Sequence, residues 1–183
     1  TSPSSHATPH IGARITTIVN AVLTGEPGEA QRKAALNEFL DARKAIRTGI
    51  NSRTELLFND QTITRLGANS HFSFNEGTRE LSISQGVILL QVPKGSGGAT
   101  IQTKAVTAAI TGTTLLFEVG PKSTTLTVVE GKCFLICNAD RLHRWTGLTT
   151  GQKVTVPHYA KEVPASITAH LCDLLKNSPM FTG

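Results

Sequence analysis

Between residues 45 and 156 the chain alternates apolar and polar side chains in short runs, each closed by Gly, Asn, Asp or Pro. Turn signals recur roughly every 8 to 12 residues, the cadence of a sandwich, a barrel or a β-solenoid. The punctuation is Asn59-Asp60, Gly67 with Asn69, Glu76-Gly77, Gly86, the Pro93 to Gly98 loop, Gly112, Gly120-Pro121, Gly131 and Gly151. Alternate residues of an extended strand point to opposite faces. The core face is therefore expected to hold Thr54, Leu56 and Phe58, Phe72 with Phe74, Leu81 with Ile83, Ile88 with Leu90 and Val92, Leu126 with Val128, and Cys133 with Leu135 and Cys137. The run 87–92 (VILLQV) is apolar on both faces, so its second side needs a cover.

A candidate cover lies at the C-terminus. Ile167, Leu171 and Leu174 recur at helical spacing after Pro164, and Asn177 with Pro179 ends the pattern, which predicts an amphipathic helix over 165–176. Two N-terminal segments give mixed signals. Ile11, Ile15, Ile18 and Val22 fall at helical spacing, but the Thr and Val content of 15–24 favours a strand, and a strand is the expectation. Residues 29–43 (EAQRKAALNEFLDAR) hold strong helix formers, and stay open at this point.

Composition agrees with the pattern. Thr, Ile and Val account for 48 of 183 residues, and β-branched side chains suit a pleated, half-buried surface. This length suits one domain: a disordered tail over 1–10, a β domain over 11–160, and a C-terminal helix and tail over 161–183 that pack on it. The start, TSPSSHATPH, has no basic or apolar stretch and reads as a mature or trimmed end rather than a signal peptide. No run of 18 apolar residues is present.

The formal charge of +5 would suit an anionic partner. The charges are scattered, though, and one Trp, one Tyr and seven Phe offer no base-stacking platform, which argues against nucleic acid. Cys133 and Cys137, four apart in one strand, stand roughly 13 Å apart, beyond the ~7 Å reach of a disulfide. Three buried thiols, Cys172 included, are the expectation.

No catalytic constellation emerges. None of the six His residues accompanies a nucleophile motif, His170 with Cys172 lacks the further ligands of a metal site, and the glycines of 93–98 lack a strand-to-helix setting for phosphate. Glu55, Asp60, Glu76 and Glu80 could approach one another as carboxylate pairs do in polysaccharide hydrolases, but a salt bridge or solvated face accounts for them more simply. No enzyme activity and no cofactor are implied.

The ordered motifs add a family. Thr48-Gly49, Ser52 to Phe58, Asp60, Arg65-Leu66-Gly67, Gly86 to Val92, Gly112-Thr113, Glu130-Gly131 and Gly151-Gln152 together resemble the FecR-type domain, the periplasmic β domain of regulators that pass iron-uptake signals to a sigma factor. The resemblance covers about residues 35 to 156. It implies an all-β, solenoid-like coil of short strands, with a jelly-roll-like sandwich as the alternative, and short strands around Leu36 and Leu40. It implies a periplasmic or extracellular, non-catalytic recognition or signalling module that binds a protein partner of the cell envelope, with a glycan-binding or structural envelope protein as the alternative. Thr48, Gly49, Asp60, Gly67, Gly86, Gly112, Thr113, Gly131 and Gly151 become fold-motif positions, and Leu57, Ile63 and Arg65 candidate partner contacts on an outward face.

Overall fold

The computed structural model describes residues 12–41, 43–75, 78–177 and 180. The expected disordered tail, the Glu76-Gly77 turn, Ile11 and the Pro179 helix stop lie outside the described residues.

The chain is all-β. Among the described residues, seventeen strands join into one sheet, followed by a single helix, α1 (Leu171–Asn177). The sheet folds over into two layers. The first runs, by hydrogen-bonded neighbour, β4 (Phe39–Leu40), β1 (Ala13–Val19), β6 (Arg53–Phe58), β7 (Ile63–Leu66), β9 (Glu80–Gln91), β12 (Thr114–Val119), β13 (Ser123–Glu130), β16 (Gln152–Pro157) and β17 (Ile167–Thr168). The second runs β3 (Arg32–Lys33), β2 (Val22–Gly25), β5 (Ala45–Thr48), β8 (His71–Phe74), β9 again, β10 (Ala99–Gln102), β11 (Val106–Ile110), β14 (Lys132–Cys137) and β15 (Thr146–Thr149).

β9 belongs to both layers. Its first half pairs with β8 and β10, its second half with β7 and β12. The changeover falls at Gly86, whose φ of +106° and close approach to Ser70 leave no room for a side chain.

The ladders do not confirm the expected solenoid-like coil. Among the described residues every ladder is antiparallel except β9 with β10, and the sheet is open and mixed. Two layers enclosing one core come nearer to the sandwich alternative. Phe58 of the first layer meets Phe74 and Phe72 of the second edge-on, ring centres 5.1 and 6.4 Å apart.

The inward residues expected from alternation, from Leu56 and Phe58 through Ile88, Leu90, Leu126 and Val128 to Cys133 and Cys137, are all buried in that core. Within 15–24 the chain makes β1 and β2, separated by a bend at Asn20, φ +59°. The open segment 29–43 forms β3, a turn with Leu36 exposed, and β4; strand partners on β2 and β1 override its helix propensity.

The C-terminal helix is shorter than its pattern predicts. Ile167, expected on the apolar stripe, instead pairs in β17 with Lys153 and is 64% exposed. The free edge of β16 offers unpaired backbone groups and captures the residues after Pro164, so α1 begins only at Leu171. Cys172 is exposed, a correction to the expected third buried thiol, because the short helix turns only Leu174 toward the sheet.

Burial pushes the Cys133 thiol up to about 12, against a hydrogen bond at Leu148. Cys137 is raised by burial and by Asp140. Both thiols therefore stay protonated and enclosed. Of the three, only Cys172 should react quickly with a thiol reagent in native protein near pH 8. Titration with and without denaturant reads this directly, one fast thiol against three.

Candidate functional site

The outer face of the first layer carries the strongest side-chain pattern. Across the ladders, register places Glu55 opposite Arg65, Arg65 opposite Leu89, Leu89 opposite Leu116, and so on through Thr127 to Lys153 and Ile167. A neighbouring row sets Leu57 opposite Ile63, and Ile63 opposite Gln91. Leu89 and Leu116 are buried although they point away from the core, since Met180 and Leu174 of the C-terminal segment lie over them with Val87 and Val129. This is the cover that the two-faced run 87–92 calls for.

The three candidate contacts stand together at the border of this strip, half-buried. Arg65 is more enclosed than the exposed charge that the resemblance implies. Its Nε lies 2.6 Å from Glu55 Oε2, its Nη1 donates to the Met180 carbonyl at 3.1 Å, and 31% of its side chain is exposed. Thr16 Oγ1 donates to the other Glu55 oxygen at 2.7 Å. Burial would raise the Glu55 pKa, but the hydrogen bonds from Arg65 and Thr16 and the Arg65 charge outweigh it and hold the carboxyl below the ordinary range. Arg65 thus ties the C-terminal segment to the strip, while Leu57 and Ile63 stay beyond its edge. Between that segment and the sheet lies a cleft of about 680 Å³ lined by Gly67, Val87, Leu116, Lys153, Leu174 and Met180, among others.

The fold-motif positions gather at bends between layers. Thr48 Oγ1 donates to the Gly67 carbonyl at 2.6 Å and accepts from Ser70 N at 2.9 Å. Gly49 N donates to the Ala21 carbonyl, and Gly86 abuts Ser70. At a second bend Thr113 Oγ1 donates to the Lys132 carbonyl at 2.6 Å, with Gly112 and Gly131 alongside, and Gly151 N donates to the Val128 carbonyl. Each threonine reaches a carbonyl 19 residues ahead, so the two bends repeat one device. Asp60 accepts from Thr62 N at 2.9 Å and pairs with Arg79 at 3.2 Å.

The acidic residues do not form a catalytic pair. Glu55 goes to Arg65 and Asp60 to Arg79, while Glu80 lies on the outer face of the second layer and Glu76 falls outside the described residues. Among the described residues no group of three or more His, Cys, Asp or Glu could hold a metal ion, and no helix is long and apolar enough to cross a membrane. Alternation did not single out Leu89, Leu116 and Met180 as one exterior cluster; the signal lay in the double-sided run 87–92.

The FecR protein family matches residues 44–133, a stretch that holds Thr48 to Gly86, Gly112, Thr113 and Gly131 of the two bends and the whole of β9, and stops short of Gly151. Over these residues the chain matches the FecR domain. Two crystal structures of a candidate anti-sigma factor from Parabacteroides distasonis ATCC 8503 are similar in fold to this chain, each at a TM-score of 0.60 and 12% identity, covering 71% and 73% of this chain. This chain spans 62% and 64% of those proteins. Comparison with curated proteins brings no significant match.

Proposed function

We propose that this chain is a non-catalytic recognition module of a FecR-type regulatory system, acting in the periplasm or outside the cell, that takes a protein partner on the outer face of its first layer. The observation that carries this is the apolar strip beside Arg65. One half of it already accepts a peptide, the chain's own C-terminal segment, and the other half, at Leu57 and Ile63, continues half-exposed, with no described residue of that segment over it. Half-buried aliphatic residues beside a hydrogen-bonded ion pair are a common make-up for a protein contact, with the apolar part supplying affinity and the charges orientation. The structural relatives are described as candidate anti-sigma factors, which supports a place in sigma-factor control; an iron-uptake signal is the input we assign from the family. The free edge at β17 offers strand addition as a second way to hold the same partner.

Capture from envelope extract should recover a partner with the wild type and lose it with Ile63→Asp and with Arg65→Glu, while a substitution at exposed Tyr159 changes nothing. Equal recovery by all proteins removes this face from consideration. Fractionation of cells expressing the full-length gene tests the compartment, and a cytoplasmic pool alone would overturn that part.

A further inference from the structure

The outer face of the second layer is unlike that of the first. Among the described residues no helix covers it, and along β9, β10 and β11 its outward residues include Glu80, Ser82, Thr100, Gln102, Thr107 and Ala109, all charged, polar or short. At one end the 93–98 loop and the turns at Gly112 and Gly131 close this face into a groove of about 810 Å³.

Its floor is Thr100 beside Ala109, paired in register. One wall is Phe134, opposite both Ala109 and Gly147 and 53% exposed. The ring lies over Gly147, where a Cβ would come within 3.3 Å of it, so the glycine keeps the aromatic low against the sheet. Lys132, two residues earlier on the same face of β14, and Lys94 stand at the closed end. Lys94 packs so closely on Gly112 that a Cβ there would fall 2.5 Å from its Cγ. Neither lysine has an acidic partner among the described residues. Arg79, the third cation at the groove, is committed to Asp60 at 3.2 Å and to the Gly98 carbonyl at 2.9 Å.

We propose that this groove binds a carboxylated saccharide, a uronate chain, with a sugar ring stacked on Phe134 and its carboxylate between Lys94 and Lys132. A half-exposed aromatic ring held flat on a sheet matches the CH face of a pyranose, the hydroxyls of Thr100 and Thr111 match its OH groups, and two uncommitted ammonium groups match its charge. A peptide strand fits less well. β10 is hydrogen-bonded on both sides, to β9 and β11, so the floor has no free backbone edge for strand addition. Glu80, across from Thr100, opposes a second carboxylate further along and places the charged sugar at the lysine end.

Calorimetric titration of the whole chain should compare a homogalacturonan oligomer, its methyl ester, a neutral cello-oligosaccharide and polyglutamate. The acid oligomer should bind and weaken with salt. Methyl esterification, Lys132→Glu and Phe134→Ala should each cut affinity by about tenfold or more, at unchanged melting temperature since both residues are exposed. Failure of the acid oligomer to bind, equal binding of its ester, or wild-type affinity in both variants would overturn the proposal. Polyglutamate binding as tightly would overturn it in favour of an acidic peptide. Loss of the protein partner at Ile63 is a separate result on the opposite face and leaves this one standing.

Discussion

Gly86→Ala is expected to be the most damaging single-methyl change in the chain. A Cβ at this position would overlap Ser70 Oγ and Cα, and φ is +106°, a value L residues rarely adopt. Backbone strain of this kind costs about 1–3 kcal/mol, and overpacking against fixed main chain adds roughly as much. Ser70 cannot step aside, since its N bonds Thr48 Oγ1 and its Oγ accepts from Val87 N at 3.1 Å. The total, about 3 kcal/mol or more, is a large share of the stability of an ordinary domain. Gly151→Ala separates the two contributions, because φ there is +84° and a Cβ would meet nothing within 4 Å. Urea denaturation should show a loss for Gly151→Ala of about 1 kcal/mol, and at least twice that for Gly86→Ala. Equal losses would mean that the contact with Ser70 yields freely.

Phe58→Ala should cost about 3–5 kcal/mol. Its ring is 2% exposed and bridges the layers to Phe72 and Phe74, so truncation empties space that neither sheet can close without moving as a whole. For a chain of this size the melting temperature should fall by of order 10 °C. Phe134→Ala, removing the same atoms from an exposed site, should stay within about 0.5 kcal/mol. A similar loss from both would deny that Phe58 ties the layers together.

Strand positions and inward faces were legible because alternation is a local property. Leu56, Phe58, Ile88 and Val128 needed only their neighbours in sequence to be assigned inward. Pairing direction is not local. Nothing in the run of residues 80–91 says that its first half joins β10 in parallel while its second half joins β12 antiparallel, and so a solenoid and a folded sheet read alike. The C-terminal segment misled for a related reason. The spacing of Ile167, Leu171 and Leu174 is helical, yet the open edge of β16 outbids one turn of helix.

The candidate contacts show the same limit. The resemblance puts Arg65 outward, but its ion pair depends on Glu55 standing directly across β6, and its hold on the Met180 carbonyl spans 115 residues of sequence. Phe134 could be read as outward from buried Cys133 and Leu135 on either side; its place beside Lys94 and over Gly147 required the register of β14 with β15 and β11.

Because β9 supplies a rung to each layer, the protein has no seam along which it can be divided. Cut between Gln85 and Gly86, each fragment would retain half of that strand and bare a raw margin where the other half had been, so the pieces should aggregate alone and regain solubility only when co-expressed.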